Sequence, residues 1–360
     1  MNLYATRRKS RAIRAGSLEI GGGAPVSVQS MTNTDPHDFE ASLRQVRALE
    51  AAGCDLVRLT VPDAEAARVF SYLHESGIGI PLCADIHFDY RLALAAIEAG
   101  ADKIRINPGN IGGRDRVAAV AAACRKNGVP IRIGVNGGSL EKELLAKYGA
   151  PTAEALAESA LSHIALLEAE DFTDIAVSVK SSSVPVMIAA NRILAERTEY
   201  PLHLGVTEAG GGTAATVRGA VGIGTLLAEG IGDTVRVSLT DDPTEEVRAA
   251  EEILASLGLS ARPHLRIVSC PTCGRTGIDL ISLSRRFEEA TREAGVDRLP
   301  LTVALMGCVV NGPGEAREAD IGIAGGRGEA VLFSHGEILG KIREDEIIGT
   351  LINKLKEIEK

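Results

Sequence analysis

The feature that most constrains this chain is a unit that recurs from residue 26 to about residue 258: a short apolar strand, a polar loop and an amphipathic helical stretch. The strands are β-branched and almost continuously apolar, which is typical of parallel strands covered on both faces. Eight units over about 230 residues match the size of a TIM barrel. The predicted strands are VSVQSM (26–31), LVRLTV (56–61), LCADI (82–86), KIRINP (103–108), IRIGVN (131–136), DIAVSVK (174–180), LHLGVTE (202–208) and TVRVSLT (234–240).

The helical stretches between the strands support this interpretation. DFEASLRQVRALEAAG and TEEVRAAEEILASLG are amphipathic, and both end in glycine, a usual helix stop. An open, doubly wound sheet is the competing architecture. No GxGxxG motif follows the first strand, and a count of eight fits closure, so we predict an α/β chain with an N-terminal TIM (β/α)8 barrel.

The pattern changes after residue 262. RIVSC and LTVALMGC are predicted strands that each end in cysteine, and GIDLISLSRRFEEATREAG is a predicted helix. ADIGIAGGRGEAVLFSHGEILGKI is typical of a hairpin with glycine-rich turns, and a charged helix is expected over about 344–359. We therefore expect a barrel over residues 1–262 and a smaller α+β domain over 263–360.

Composition excludes several classes of protein. A net charge of −9 and an aromatic content of 3% without tryptophan argue against a nucleic-acid binder. No apolar run approaches the roughly 18 to 20 residues that span a bilayer. The N-terminal MNLYATRRKSRAIRAG is basic without an apolar segment, so we expect RRK to be a solvated arm, the protein to be cytosolic and its thiols to be reduced.

Polar residues interrupt the predicted strands, mostly toward their carboxyl ends, where barrels keep their active sites. Any single strand arginine usually pairs with a neighbouring carboxylate. The set as a whole, however, has five cations against two carboxylates, which favours a multiply charged anion such as a phosphate or diphosphate. The glycine-rich EAGGGTAATVRG, after the seventh strand, could add backbone N–H groups at a helix N-terminus. The candidates are Arg58, Asp85, His87, Arg105, Asn107, Arg132, Asn136, Lys180, Glu208, Arg236 and Ser238.

Three cysteines of the second domain form an odd set. Cys270 and Cys273 stand in SCPTCGR and Cys308 in ALMGCVVNGPGEA. A CxxC pair alone leaves zinc, iron–sulfur and thiol redox chemistry open. A zinc ribbon usually has a second CxxC or nearby histidines, and neither is found near Cys308. A thioredoxin-like site usually has its CxxC before a helix in a βαβ unit, and this pair is not placed in that way. Three thiolates with one other ligand favour an iron–sulfur cluster, and Asn311 and Glu315 are the candidates for that ligand.

The remaining cysteines lie in predicted barrel strands or in a helix. We expect Cys54, Cys83 and Cys124 to be small buried apolar residues.

Taken together, these motifs resemble the 4-hydroxy-3-methylbut-2-enyl diphosphate synthase family. CPTCGRTGIDL and ALMGCVVNGPGEAREADIGIAGG carry the most specific likeness, and it extends over essentially the whole chain. The resemblance implies the shorter, two-domain form and a [4Fe–4S] cluster held by Cys270, Cys273, Cys308 and Glu315. The barrel segments that share the likeness are PVSVQSMTNTDP, RLTVPD, ADIHFD, KIRINPGNIG, RIGVNGGSL and VSVKSSS.

The resemblance also implies an activity: a two-electron reductive opening of 2-C-methyl-D-erythritol 2,4-cyclodiphosphate with loss of water, in the methylerythritol phosphate route to isoprenoids. The strand cations would then hold the diphosphate, with Asn107, Asn136, His87, Asp85 and Ser238 completing the hydrogen bonding. Glu208 would orient a hydroxyl or move a proton, and Glu315 would complete the cluster. No flavin or nicotinamide motif is visible, so a flavodoxin or ferredoxin is the expected electron donor. A homodimer, in which one chain's cluster caps the other chain's barrel, is also implied.

Two other classes remain open from the residues alone. One is a non-redox phosphosugar aldolase or isomerase with a structural zinc domain, in which Lys180 could be a Schiff-base lysine. The other is a cluster-carrying redox sensor or binding module without catalysis, which would leave the five strand cations unexplained.

Overall fold

The computed structural model describes residues 6–107, 109–308 and 316–358. The chain divides into two compact units, Met1–Ser260 and Ala261–Lys360. None of the helices within the described residues is long and apolar enough to cross a membrane.

The first unit is built on eight parallel strands whose order follows the chain around the sheet. Neighbouring strands pair from β3 to β8, and β10 lies between β3 and β9. A parallel bridge between Val177 and Leu202 joins β8 to the residue before β9, so the ring closes. The predicted TIM barrel is confirmed. The strands are β3 (Ser27–Met31), β4 (Leu56–Thr60), β5 (Leu82–Asp85), β6 (Lys103–Ile106), β7 (Ile131–Asn136), β8 (Ile175–Lys180), β9 (His203–Leu204) and β10 (Thr234–Val235).

The last two barrel strands are much shorter than the sequence predicts. Arg236 N still donates to Leu204 O (2.9 Å), but beyond that point the backbone bonds elsewhere. Leu239 N donates to the side chain of Glu246 (3.1 Å) and Thr240 N to Gly210 O (3.0 Å). The strand-like sequence pattern continues beyond residues 204 and 235, but backbone N–H groups that would extend the sheet bind other acceptors.

An outer layer of helices covers the strands. The helix predicted from DFEASLRQVRALEAAG is α1: Asp38 caps it by accepting from Ala41 N (2.8 Å), and Gly53, at φ 102°, ends it. Side chains such as Val46 and Leu49 bury one face of it in the core. The barrel helices are α1 (Phe39–Ala52), α2 (Val69–Glu75), α3 (Tyr90–Glu98), α4 (Arg114–Asn127), α5 (Lys142–Tyr148), α6 (Ala153–Glu168), α7 (Val184–Arg197), α8 (Gly212–Ala228) and α9 (Pro243–Ser256).

A short hairpin precedes the barrel and closes its amino-terminal end. Strands β1 (Ile13–Ala15) and β2 (Leu18–Ile20) pair antiparallel. Their apolar side chains pack with Leu56, Cys83 and Ala176, at or next to the first residues of three barrel strands. Cys54, Cys83 and Cys124 are buried, as predicted.

The expectation that RRK is a solvated arm is wrong for its first two residues. Arg7 Nη1 donates to Ala24 O (2.5 Å), and Arg8 donates to the carbonyls of Thr198 and Tyr200 (both 2.5 Å). Both guanidinium groups also lie near the buried Asp233, at 3.4 and 3.8 Å. The segment is tied to the barrel because its arginines bind loop carbonyls and a buried carboxylate.

In its described residues the second unit is a mixed five-stranded sheet with two α-helices, which confirms the predicted α+β domain. The strand order is that of the chain; β11, β12 and β13 pair parallel, and β14 and β15 follow antiparallel. Leu283, Phe287, Val303, Leu305 and Leu351 are part of its core. The elements are β11 (Arg266–Ser269), α10 (Leu280–Glu293), β12 (Thr302–Met306), β13 (Ile321–Gly325), β14 (Glu329–Ser334), β15 (Glu337–Arg343) and α11 (Ile347–Ile358).

The segment predicted as one hairpin is two consecutive hairpins. A second tight turn lies between β14 and β15, where His335 (φ 45°) and Gly336 (φ 81°) both have left-handed backbones. Two such residues in succession are the signature of the tight hairpin turn that suits twisted strands. Asparagine, aspartate and glycine are the usual residues at the first position of such a turn. Because histidine stands there, the sequence pattern did not indicate the second turn.

Candidate active site at the carboxyl end of the barrel

The register of the barrel strands brings the predicted polar residues together. Met31 lies beside Arg58, Asp85 beside Arg105, and Arg105 beside Arg132. Asn136 and Lys180 are paired in the same way. Because side chains alternate along a strand, such neighbours point to the same side of the sheet. The polar pattern in the sequence therefore becomes one cluster.

Asp85 is the anionic centre of this cluster. Arg105 Nη1 donates to its Oδ1 (3.0 Å), and Arg58 Nε lies 3.8 Å from Oδ2. His87 Nε2 is 3.3 Å from Oδ2. Burial alone would raise the pKa of the Asp85 carboxyl, but Arg58, the hydrogen bond with His87, and Arg105 together hold it well below its usual range. Asp85 is therefore ionised at neutral pH and orients the cations around it.

Arg105 reaches Asp85 across a glycine, Gly134, which lies two residues beyond Arg132 on the next strand. A Cβ at Gly134 would lie 2.3 Å from Arg105 Nε. Arg105 Nη1 also lies 3.1 Å from His87 Nε2, the ring nitrogen that approaches Asp85. That nitrogen either accepts from Arg105 or donates to Asp85, so the histidine proton is coupled to the arginine–carboxylate pair.

Arg58 is mostly occupied by a weak acceptor. Its Nε and Nη2 lie 3.1 and 2.8 Å from Met31 Sδ, a thioether at the end of β3. Burial lowers the pKa of Arg58, and the opposing effect of Asp85 does not cancel this. A guanidinium in contact with sulfur retains most of its capacity to bind an oxyanion.

Arg236 has a partner that the sequence analysis missed. Its Nε and Nη2 donate to the two carboxylate oxygens of Glu246, both at 3.0 Å. Glu246 is buried and also accepts from Ser30 Oγ (2.8 Å). It comes from the first turn of α9, where an acidic residue is ordinarily explained by the helix dipole. For Arg236, the ordinary reading of a paired strand arginine is therefore confirmed.

Arg132 and Lys180 have no such partner among the described residues. All three guanidinium nitrogens of the buried Arg132 lack a hydrogen bond. Lys180 Nζ lies against Gly205, where a Cβ would be 2.7 Å away. Burial, reinforced by Arg236, Arg132 and Arg58, lowers the pKa of Lys180 well below its ordinary value. Arg132 and Lys180 are therefore basic groups of the predicted set that have no carboxylate partner in the described part of the chain.

The other predicted residues shape the rim or face solvent. Asn107 Oδ1 accepts from Gly109 N (3.0 Å), while its buried Nδ2 has no partner in the described part of the chain. Asn136 Oδ1 accepts from Ser139 N (3.0 Å) and so caps a one-turn helix. Ser238 is half-buried. Glu208 is exposed and has a left-handed backbone at φ 55°, a strained conformation that is common at functional sites.

In the second unit, two adjacent parallel strands bring the predicted thiols to one edge. Cys270 follows β11, and Cys308 lies two residues beyond β12. Gly307 N donates to Cys270 Sγ (3.2 Å), and Gly277 N donates to Gly307 O (2.8 Å), which ties the CxxC loop to the segment before Cys308. Cys273 is exposed, and hydrogen bonds from Arg275 lower its pKa.

This donor set fits a metal–sulfur group in kind. Cys270, Cys273 and Cys308 are soft ligands on neighbouring loops, none of them fully buried. Asn311 and Glu315, the candidate fourth ligands, lie outside the described residues. Within the ranges that the structure does describe, no three His, Cys, Asp or Glu side chains are already grouped around one point as for a metal ion.

Both units match models of a known protein family. The GcpE TIM-barrel domain matches residues 10–251, and the GcpE protein C-terminal domain matches residues 266–357. Three curated relatives are named 4-hydroxy-3-methylbut-2-en-1-yl diphosphate synthase (flavodoxin). The protein of Maridesulfovibrio salexigens is 56% identical, with 98% of this chain and 97% of the relative covered. That of Geobacter sulfurreducens is 55% identical, with 98% of each covered. That of Clostridium perfringens is 54% identical, with 98% and 99% covered.

Solved structures support the barrel alone. Dihydropteroate synthase from Xanthomonas albilineans is 17% identical and aligns with a TM-score of 0.51 over 71% of this chain and 100% of its own. The Stenotrophomonas maltophilia enzyme is 15% identical, also with a TM-score of 0.51, over 70% and 100%. At such identity the likeness concerns the fold and carries no function.

Proposed function

This chain belongs to the GcpE family, and we propose that its barrel binds a cyclic diphosphate and its thiol edge holds an iron–sulfur cluster. The chain is an oxidoreductase of the methylerythritol phosphate pathway that forms 4-hydroxy-3-methylbut-2-enyl diphosphate. The reaction opens the ring of 2-C-methyl-D-erythritol 2,4-cyclodiphosphate by a two-electron reduction with loss of water. A non-redox aldolase or isomerase with a structural zinc is not favoured, because the curated relatives are named as this synthase.

The observation that carries the binding assignment is the uncompensated positive charge at the carboxyl end of the barrel. Arg132 lacks an acceptor among the described residues, Lys180 Nζ lies against Gly205, and Arg58 mainly contacts a thioether. An unpaired buried charge costs several kcal/mol, and a diphosphate would offset that cost at several cations together. Arginine also binds phosphate oxygens bidentately. We assign Arg58, Arg105, Arg132, Lys180 and Arg236 to the diphosphate.

The carboxylates have different proposed tasks. Asp85 is already bound by Arg105 and approached by Arg58, so it orients those cations and leaves proton transfer to another group. Glu208 is an exposed carboxylate with a left-handed backbone in the loop after β9, and we assign it to orienting a substrate hydroxyl or moving a proton. His87, Asn107, Asn136 and Ser238 are proposed to complete the hydrogen bonding.

The cluster assignment rests on the donor set of the second unit. Cys270, Cys273, Cys308 and Glu315 would hold a [4Fe–4S] cluster, which when bound supplies electrons and one iron with a replaceable oxygen ligand. The chain itself directs Gly307 N–H toward Cys270 Sγ, an outer contact of the kind that orients a metal ligand. A cytosolic location, as expected from the sequence, would keep the thiols reduced.

Partners follow from the same assignment. The curated relatives carry flavodoxin in their names, so a flavodoxin is the proposed electron donor, with ferredoxin as the other candidate. A homodimer in which each cluster serves the partner's barrel remains a proposal.

The test is conversion of the cyclic diphosphate by protein purified without oxygen, followed by ³¹P NMR. We expect the signals of the cyclic diphosphate to be replaced by those of a linear diphosphate only when a reductant is present. Consumption of the cyclic diphosphate without reductant would contradict the proposed reaction. So would the absence of product when protein loaded with iron and sulfide is supplied with a reductant.

The binding assignment has its own test. Arg132→Met should weaken substrate affinity by about tenfold or more, because one charge-assisted contact is worth about 1.5–3 kcal/mol, and iron content should not change. The exposed Arg44, changed to Met, is the matched control. Unchanged affinity in Arg132→Met would remove that residue from the diphosphate site.

A further inference from the structure

Below the cations of the proposed diphosphate site lies a second polar layer inside the barrel, and the proposed reaction has no role for its residues other than Arg132. Lys103 precedes Arg105 by two residues on β6, and Gln29 precedes Met31 by two on β3. Side chains two apart on a strand share a face, so both point into the barrel, nearer its amino-terminal end. His203, on β9, and Arg132, on β7, complete this layer.

The layer is sealed from solvent. The relative exposure is 0% for Lys103 and His203 and 1% for Arg132 and Gln29. The hairpin β1–β2 covers the amino-terminal end below, through contacts with Leu56, Cys83 and Ala176. Polar side chains this deeply buried are ordinarily hydrogen-bonded.

Here the hydrogen bonds are missing. Within the described ranges, no partner exists for Lys103 Nζ, for any guanidinium nitrogen of Arg132, for His203 Nε2 or for either side-chain polar atom of Gln29. His203 Nδ1 lies 3.4 Å from Thr234 Oγ1. The tautomer in which Nδ1 accepts that hydroxyl proton leaves Nε2 as one more N–H donor.

The unpaired groups are predominantly donors, and the layer is positively charged. Lys103 and Arg132 are close enough to lower each other's preference for the charged form, and both also affect His203. Burial lowers the pKa of Lys103 to about 8, and an anion beside the amine would favour its protonated form. In the layer above, Asp85 is engaged by Arg105 and Glu246 by Arg236. The described part of this layer therefore contains no anion to balance its cations.

We propose that a small inorganic anion of halide size binds inside the barrel between Lys103 and Arg132, with His203 and Gln29 as further donors. A spherical anion accepts from several donors without demanding a fixed geometry, and it lowers the cost of two buried cations. Water could satisfy single donors but would leave the charge uncompensated. A phosphate or carboxylate is disfavoured at this depth because Lys103 Nζ, His203 Nε2 and the Gln29 amide are closed to solvent. The site is distinct from the proposed diphosphate site, although Arg132 borders both.

The first experiment uses full-length wild-type protein without substrate. Crystals grown in bromide, with data collected at the bromine edge, should show an anomalous peak inside the barrel within reach of Lys103 Nζ and the Arg132 guanidinium. Ordered water at that place, with bromide absent or only on the surface, would overturn the proposal. Because no substrate is present, the result does not depend on the reaction proposed above.

A second experiment works in solution. At constant ionic strength, the midpoint temperature of thermal unfolding should rise with the concentration of chloride or bromide and then saturate, because a ligand that binds only the folded state stabilises it by mass action. Sodium gluconate should give no such rise. In Lys103→Met the halide affinity should fall by about tenfold or more, since a charge-assisted contact is lost.

The exposed Lys126, changed to Met, is the control and should keep the wild-type response. An equal response of Lys103→Met and wild type would contradict the assignment to Lys103. If Lys103→Met does not fold, the bromide map of the wild type decides.

Discussion

The two proposed sites, one in each unit, are prepared to different degrees. At the barrel mouth, Asp85 and Glu246 already hold Arg105 and Arg236 in place through hydrogen bonds of 3.0 Å. At the thiol edge, Cys273 is exposed, and no group of three metal-binding side chains is assembled within the described residues.

The difference has a physical cause. A closed barrel fixes its strand register by burying apolar side chains on the outer face, so the inward polar residues are positioned by folding itself. The thiols lie on loops beyond strand ends, where little packing constrains them, and binding of a metal group would supply the missing order. Changes at the barrel should therefore alter affinity or stability, whereas changes at the thiols should remove the cofactor.

The largest effect is expected from Cys308→Ser. Loss of one thiolate should abolish cluster binding and turnover, because a hydroxyl is a poor ligand for this metal group. Iron and sulfide per chain measure cluster binding. Binding of the cyclic diphosphate to the barrel should persist. The control is Cys124→Ala in the buried face of α4, which should keep its iron. Retention of a full cluster in Cys308→Ser would erase the proposed contrast between the two regions.

Gly134→Ala should come next. The added Cβ would lie 2.3 Å from Arg105 Nε, so the guanidinium would have to leave Asp85. We expect substrate affinity to fall by roughly ten- to a hundredfold, the value of one or two charge-assisted contacts, at unchanged iron content. Gly113→Ala is matched, because Gly113 has an ordinary φ of −66° and no atom near its Cβ position. Equal affinities in the two variants would show that the Arg105–Asp85 pair is not part of binding.

Glu246→Gln tests whether the Arg236–Glu246 ion pair stabilises the folded barrel. The amide can keep one of the contacts but leaves Arg236 without a counter-charge, so unfolding free energy should fall by about 1–3 kcal/mol. Urea denaturation of wild type and variant provides the measurement. A more stable variant would mean that the buried pair is retained for binding alone.

The smallest effect concerns a pair at the barrel's outer layer. His74 Nε2 lies 3.4 Å from Asp102 Oδ2 and 3.0 Å from Gly100 O, and these contacts raise the pKa of His74. A raised pKa in the folded state means that the stabilisation is complete below the unfolded value of about 6.5 and is lost as pH rises through the folded value. Since the side chain is about one-third exposed, a few tenths of a kcal/mol are expected.

Urea denaturation between pH 6 and 8, compared with His74→Gln, would detect the effect. The same pH dependence in the variant would assign it to another group.

Much of this could be predicted from the sequence, for identifiable reasons. Arg58, Arg105 and Arg132 stood out because a charge in a buried strand has few explanations. The thiols stood out through their spacing. Glu246 did not, because an acidic residue in a first helical turn has an ordinary role. Lys103 and His203 were passed over because they lie before the strand ends, where an active site is not expected.

The shortfalls of the fold prediction are equally specific. The hairpin β1–β2 is only three residues per strand, too short for a periodic signal to emerge. The shortening of β9 and β10 depends on where Leu239 N and Thr240 N find acceptors, which involves residues far apart in the fold. The role of Glu315 stays a prediction, since it lies outside the described residues.

The most direct test of the central claim is the iron, acid-labile sulfide and zinc content per chain of protein purified without oxygen. The account predicts about four irons and about four sulfides, as for a [4Fe–4S] cluster, and no stoichiometric zinc. About one zinc with no sulfide would contradict it, because a tetrahedral zinc site is redox-inactive and could not support the reductive ring opening.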